Sequence, residues 1–341
     1  MIPDGISPRI PLASRTTLGV GGAAQFFLEA HSEEEVRVGI AFAEREKLPL
    51  VVLGNGSNLL VPDTGVAGVV LHMSIKGIEV AAADEGVSIV AGAGTAWDVV
   101  VDAASAQGVF DIANLAGIPG SLGGAAVQNI GAYGAEFSQV FAYAEVIERT
   151  TGATRRVSRE EAAFAYRTSL FKTHREYLIT RVALRLTERS KPNLAYNDLA
   201  RASGAGVPLR TPSEVAAAVR DIRAAKFPQA SDGGTAGSFF KNPIITREQA
   251  EELGGRFPGL PAYPQADDRV KVSLAWLLDH ALGLKGYTKG KVRLYEKQPI
   301  VIVARAGATA AEIDDFAHEI AKKVFEATHI TIEREVEMFG A

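Results

Sequence analysis

The sequence contains no cysteine. That one absence excludes disulfides, thiolate metal sites, cysteine nucleophiles and iron–sulfur clusters. It also has no surplus of positive charge. Thirty-six Lys and Arg stand against 40 Asp and Glu, a net charge of −4, which disfavours a large nucleic-acid footprint. No run approaches the ~18 apolar residues that a membrane span needs. The opening stretch MIPDGISPRIPLASRTT has early prolines and no long apolar segment, unlike a secretory signal, so a cytoplasmic location is expected. Metal-binding patterns are missing as well. His31, His72, His174, His280, His318 and His329 are scattered, with no H-E-x-x-H and no facial-triad spacing, so no metal is expected.

What remains is an ordinary globular composition with 47% hydrophobic and 22% charged residues over 341 positions. That length implies two or three domains and enough chain for a real core. Glycine is the one excess: 34 residues, about 10% against an average near 7%.

Helix starts are marked by capping signals. Ser32 precedes Glu35, Thr95 precedes Asp98, Thr211-Pro212-Ser213-Glu214 combines cap, N1 proline and N3 glutamate, and Thr309 precedes Glu312. Short β-branched runs predict strands at 25–29, 50–53, 66–71, 75–81, 87–91, 142–148, 177–186, 300–304 and 330–338. In the last run, alternation puts Glu333 and Glu335 on one side and Ile332 on the other. The mixture reads as α+β rather than a regular βαβ series. Polar residues 188–192 and the loop-like 202–206 mark a boundary between a unit of about 190 residues and a second one from about 210 to 328.

The glycines cluster at 19–22, 54–58, 92–94 and 117–134. Such loops let main chain approach a ligand without a Cβ in the way, and successive N–H groups form anion-binding concavities. Four of them in the first half predict loops converging on a large phosphate-bearing cofactor, although any single cluster could be a tight turn. No G-x-x-x-x-G-K-[ST] P-loop is present. Gly19-Val20-Gly21-Gly22-Ala23-Ala24 matches G-x-G-x-x-A, but a proline-bearing polar stretch precedes it and a strand-like run follows it, so a Rossmann site is rejected. Ser121 lacks the flanks of a hydrolase nucleophile elbow.

Three further stretches carry chemistry: Tyr166-Arg167-Thr168-Ser169-Leu170-Phe171-Lys172, Gly237-Ser238-Phe239-Phe240-Lys241-Asn242-Pro243, and Glu333-Arg334-Glu335. Singly, Arg167 reads as a surface ion-pair residue, Ser238 as a turn hydroxyl and Glu335 as a solvated strand residue. Together they supply an anion binder, a neutral acid and a carboxylate, the groups needed to stabilise and protonate an enolate.

These stretches, with Thr17-Leu18-Gly19-Val20-Gly21-Gly22, Leu53-Gly54-Asn55-Gly56-Ser57-Asn58, Ile118-Pro119-Gly120-Ser121-Leu122-Gly123-Gly124, Gln128-Asn129-Ile130-Gly131-Ala132-Tyr133-Gly134 and Tyr263-Pro264-Gln265-Ala266, occur in one order along nearly the whole chain. In this the sequence resembles the type I branch of the UDP-N-acetylenolpyruvoylglucosamine reductase (MurB) family of peptidoglycan precursor synthesis.

The resemblance implies a vanillyl-alcohol-oxidase (PCMH-type) FAD-binding fold of two α+β subdomains, 1–74 and 75–200. It also implies a C-terminal α+β substrate domain, 210–328, with the final strand at 329–341 packing on the FAD-binding part. FAD would be held without a covalent bond by Gly54, Asn55, Gly56, Ser57, Asn58, Gly92, Gly94, Pro119, Gly120, Ser121, Gly123, Gly124, Asn129 and Ile179. The implied reaction uses NADPH to reduce FAD, which then gives hydride to UDP-N-acetylglucosamine enolpyruvate. Motif by motif, Arg167 falls at the carboxylate-stabilising arginine, Ser238 at the proton-donating serine and Glu335 at the C-terminal glutamate. Lys226 would bind the diphosphate and Tyr196 the substrate, with Tyr133 and Asn242 as further contacts. No nucleic acid and no membrane insertion are implied. A different flavin enzyme on the same fold, such as an alcohol oxidase, and a non-catalytic nucleotide-binding module are the competing readings.

Overall fold

A computed structural model describes residues 2–84, 86–188 and 190–340. Arg189 of the polar run 188–192, Glu85, and the outermost residues of the expected first domain and final strand, Met1 and Ala341, lie outside the described residues. The chain forms two compact units. One comprises Met1–Ile10, Ala24–Gly56 and Ala67–Ala225; the other comprises Pro11–Ala23, Ser57–Val66 and Lys226–Ala341.

The first unit holds two sheets. In the four-stranded one the order is Ile6–Pro11, Ala23–Ala30, Val66–Met73 and Leu50–Leu53, the last two being parallel. In the five-stranded one the order is Thr154–Ser158, Phe141–Glu148, Tyr177–Thr187, Gly86–Gly92 and Ile78–Ala83, all pairs antiparallel. A single core runs through the unit, with Trp97, Phe137 and Phe141 fully enclosed. Phe137, Phe141, Phe164 and Phe171 pack ring on ring within it.

The second unit has its own core around Phe239, Phe240 and Phe316. The Ala310–Thr328 helix supplies one side of that core with Ile313, Phe316, Ile320 and Val324. Two small antiparallel sheets, built on Arg269–Val272 and on Val292–Leu294, supply the rest. Here Gly65, at φ +77°, lies so close to Ala23 that a Cβ would stand 2.0 Å from the Ala23 carbonyl oxygen. Only glycine permits that backbone approach.

Local signals account for most helix starts. Ser32 accepts the Glu35 N–H at 3.2 Å and opens the Glu33–Glu46 helix. Thr211 and Glu214 exchange bonds of 3.2 and 2.9 Å at the head of Pro212–Lys226. Thr309 and Glu312 close the same box before Ala310–Thr328. Thr95 departs from expectation. The N-cap of Trp97–Ala106 is Ala96, while the Thr95 hydroxyl donates to the Gly77 carbonyl at 3.1 Å. A tertiary acceptor outcompetes the helix end.

The expected strand at 330–338 is also mostly absent. Only Glu337–Met338 is a strand, parallel to Leu59–Leu60. Residues 333–336 are held by isolated bonds to 239 and 241 instead. The sequence reading missed Ile6–Pro11 and Thr154–Ser158, because two prolines interrupt the first and two arginines the second. Both are edge strands, where proline and charge are tolerated.

Candidate functional site

In the first unit, three glycine-bearing loops meet. The Gly123 N–H donates to Ala93 O at 2.8 Å and the Leu122 N–H to Thr95 O at 2.9 Å. A Cβ on Gly123 would lie 2.9 Å from that of Ala93, and one on Gly54 would lie 3.1 Å from Ser121 Oγ. Cβ atoms on Gly92 and Gly94 would strike Ile75 O at 2.3 Å and Met73 O at 2.5 Å, so these glycines let the 73–76 turn pack onto the 92–95 turn. Gly56 at φ +64° and Gly120 at φ +139° occupy conformations that other residues rarely adopt.

The expected cofactor residues Gly54, Asn55, Gly56, Gly92, Gly94, Pro119, Gly120, Ser121, Gly123 and Gly124 therefore belong to converging segments of one unit. A cradle of bare main chain, with amide donors and little side chain, suits the pyrophosphate of a dinucleotide such as FAD. Ser57 and Asn58 fall in the second unit, where Asn58 Nδ2 donates to Glu335 O at 3.0 Å.

Asn129 is buried, with its side chain spent on backbone: Nδ2 donates to Ala165 O at 2.9 Å and Oδ1 accepts the Ser138 N–H at 3.0 Å. It also ends the Leu122–Gln128 helix in a left-handed conformation, so its visible task is to shape the loop. Ile179 is buried in Tyr177–Thr187 opposite Val146.

Beside these loops in the same unit lie Arg167, Tyr133 and Tyr196. Arg167 sits at φ +56°, donates from Nη2 to Gly131 O at 2.8 Å and lies over the Tyr166 ring at 5.2 Å. Lys172 braces the turn, donating to Gln128 Oε1 at 2.7 Å and to Arg167 O at 3.3 Å. Tyr133 is buried and meets the exposed Tyr196 edge to face at 5.1 Å. Burial pushes the Tyr133 phenol up to about 12, partly countered by Arg223, which hydrogen-bonds to it. Burial in turn pushes the Arg223 guanidinium below its ordinary value, against the opposing charges of Tyr133 and Asp98.

In the second unit the Gly234–Phe240 segment is stitched on two sides. Gly234 and Ser238 bridge Ala304 and Val301, and the Phe239 N–H donates to Ile300 O at 2.9 Å. On the other side the Phe239 carbonyl accepts the Glu335 N–H at 2.9 Å, and the Lys241 N–H donates to Glu333 O at 2.9 Å. Ser238 and Glu335, far apart in sequence, thus lie on directly bonded stretches of backbone. Glu333 is occupied elsewhere: its carboxylate pairs with Lys241 at 2.8 Å. That separates the two glutamates which alternation alone left equivalent. Asn242 Oδ1 accepts the Leu274 N–H at 3.0 Å, so any ligand it meets would find the amide NH₂. Lys226 closes the Pro212–Lys226 helix.

Arg167, Tyr133 and Tyr196 thus fall in the first unit, and Ser238, Glu335, Asn242 and Lys226 in the second. Arg223 was missed from sequence, although its place three residues before Lys226 on one helix was a usable signal. Arg334 was missed too. Its guanidinium pairs with Asp314 and lies over Phe239 at 5.9 Å.

A family model described as "FAD binding domain" matches residues 24–158, in keeping with the vanillyl-alcohol-oxidase-type fold implied by the sequence. A second, "UDP-N-acetylenolpyruvoylglucosamine reductase, C-terminal domain", matches 228–339. The UDP-N-acetylenolpyruvoylglucosamine reductase of Pseudomonas fluorescens is 38% identical over 97% of this chain and 98% of its own. That of Escherichia coli O157:H7 is 37% identical over 95% of this chain and 94% of its own. The crystal structure of UDP-N-acetylenolpyruvylglucosamine reductase (MurB) from Thermus caldophilus superposes with a TM-score of 0.67 at 26% identity, covering 98% of both chains. Similarity of that extent over the full length makes this chain a member of the UDP-N-acetylenolpyruvoylglucosamine reductase family.

Proposed function

We propose that this protein is a flavoenzyme of peptidoglycan precursor synthesis that uses NADPH and non-covalently held FAD to reduce UDP-N-acetylglucosamine enolpyruvate to UDP-N-acetylmuramate. The geometric observation that carries the reading is the 2.9 Å bond from the Glu335 N–H to Phe239 O. It puts the neutral acid and the carboxylate of two distant motifs on adjacent backbone. The full-length similarity to reductases of that name supports it independently. The reading takes 1–74 and 75–200 as cofactor subdomains and 210–328 as the substrate part, although 11–23 and 57–66 belong to the same compact unit as 226–341.

The loops at 54–58, 92–94 and 119–124, with Asn129 and Ile179, would hold FAD, which would supply the hydride chemistry when bound. The protein's own residues do the rest. Arg167, fixed in orientation by Gly131, presents a planar fork to the enolpyruvyl carboxylate as negative charge spreads into it. Ser238, neutral at pH 7, gives its hydroxyl proton to the strongly basic carbon next to that carboxylate. Glu335 stands beside it to polarise or relay that proton. Lys226 meets the diphosphate, and Tyr196, Tyr133 and the Asn242 amide position the sugar nucleotide. Binding the substrate in one pose converts an encounter into a first-order step.

The test is direct. Purified with FAD, the protein is expected to be yellow, and its reduced flavin is expected to be reoxidised by the enol ether faster than by O₂. A protein that takes up no flavin, or consumes no NADPH with the enolpyruvyl sugar nucleotide, overturns the proposal. Reoxidation by O₂ alone would indicate an oxidase.

A further inference from the structure

We infer that Arg223 is a positioning residue that ties the glycine loop at 117–121 to the Tyr133–Tyr196 pair, so that one side chain sets both cofactor and substrate contacts. The inference rests on the functional reading above, because it takes that loop as the cofactor's and those tyrosines as the substrate's.

The peptide units of Gly117 are gripped at both ends. Its N–H donates to Asp98 Oδ1 at 2.8 Å, and its carbonyl accepts from Arg223 Nε at 2.9 Å. Asp98 is itself held, its Oδ2 accepting from Arg220 Nε at 2.8 Å. Gly117 is at φ +68°, and a Cβ there would come 3.3 Å from both Arg220 and Arg223 side-chain carbons. The two arginines, three apart on the Pro212–Lys226 helix, therefore lie against the start of the loop.

The same Arg223 guanidinium hydrogen-bonds to the Tyr133 phenol, whose ring supports Tyr196. Backbone contacts close the arrangement. Asn114 Nδ2 donates to Tyr133 O and to Asn193 O, each at 2.8 Å. A half-buried arginine bonded to a carbonyl on one side and a phenol on the other cannot move without disturbing both. Leaving such partners unsatisfied is costly.

The test uses the full chain with FAD and the variants Arg223→Met, Arg223→Lys and Tyr133→Phe, with circular dichroism to confirm folding. Arg223→Met is expected to weaken FAD binding, read by flavin fluorescence, and to raise KM for the sugar nucleotide, each about tenfold, as for loss of a charged hydrogen bond. The visible flavin band is expected to shift, and kcat at saturation to stay close to wild type. Tyr133→Phe is expected to raise only the sugar-nucleotide KM, and adding Arg223→Met to it should produce less than the product of the two effects. Lysine, with a single point of attachment, should rescue one of the two constants and not both.

A readout independent of turnover is the alkaline titration of tyrosine. Loss of the facing positive charge should push the Tyr133 phenol further up. A Tyr133 titration left unchanged in Arg223→Met would show that the two side chains are not coupled and would overturn the inference. So would a folded Arg223→Met protein that changes only one of the two constants, or strict additivity with Tyr133→Phe. If the wild-type protein reduces no enol ether, the functional reading fails on its own, while FAD affinity and the tyrosine titration still decide the role of Arg223.

Discussion

Ser238 has one task in the proposed reaction, delivery of a proton after hydride has been transferred. The two half-reactions separate that task from everything else. Ser238→Ala is expected to leave flavin reduction by NADPH largely intact and to slow reduction of the enol ether by about 10²–10⁴-fold, the range for general-acid loss. Anaerobic stopped-flow absorbance at the flavin band measures both steps. An equal fall in the two would show that Ser238 supports the site's structure, and the assigned role would be wrong. Tyr133 makes a second residue-scale prediction. Its phenol is raised from 10.0 to about 12, mainly by burial. For a raised pKa the contribution to stability is complete below the unfolded value and is lost as pH climbs from about 10 toward about 12. Tyr133→Phe is therefore expected to flatten the alkaline loss of stability in that window, measured as denaturant midpoint against pH. An unchanged slope would mean that other groups govern it.

At the scale of elements, the capping chemistry that announced the helices also quantifies them. Thr309 accepts the Glu312 N–H at 3.1 Å and the Glu312 carboxylate accepts the Thr309 N–H at 2.8 Å, and the helix behind this box carries much of the second core. Thr309→Ala is expected to cost about 1 kcal/mol of unfolding free energy, seen as a lower denaturant midpoint with an unchanged slope. A change below a few tenths of a kcal/mol would show that tertiary packing, including Asp63, which accepts the Ala310 and Ala311 N–H groups at 2.8 and 2.9 Å, suffices without the box.

Signals of this kind are readable in sequence because donor and acceptor sit three residues apart. The same holds for the strand at 177–186, where most of the apolar run, including Ile179 and Val182, is buried. Long-range partners are what the sequence withholds. Thr95 carries a cap's side chain but spends it on Gly77. Residues 330–336 alternate like a strand, but 333, 335 and 336 make isolated backbone bonds to 239 and 241 in place of a ladder. Alternation left Glu333 and Glu335 on one side, and the ion pair of the first with Lys241 is a tertiary contact that alternation does not show. The candidate site follows the same rule: its motifs were quotable from sequence, whereas Arg223, whose partners Gly117 and Tyr133 lie about a hundred residues away, was not.

Across the whole molecule, the two units differ in what a cofactor can do for them. The converging loops at 54–56, 92–95 and 117–124 belong to the first unit and its single core, whereas the Ala310–Thr328 helix belongs to the second core. A ligand that binds only the folded state stabilises it by mass action, by about 2.7 kcal/mol at a free concentration 100 times Kd. Its local effect is concentrated where it removes conformational freedom. Hydrogen exchange measured with and without excess FAD is therefore expected to slow most at the amides of those three loops. Gly56 at φ +64° and Gly120 at φ +139°, which lie in two of those loops, should be among them. Amides in the middle of Ala310–Thr328 should change far less, since their protection already comes from helix bonds and burial of Phe316 and Ile320. Protection spread evenly over both cores would instead mean that FAD acts through global stability alone. Protection confined to Lys226–Ala341 would place the cofactor in the wrong unit and remove the basis for reading the glycine loops as its cradle.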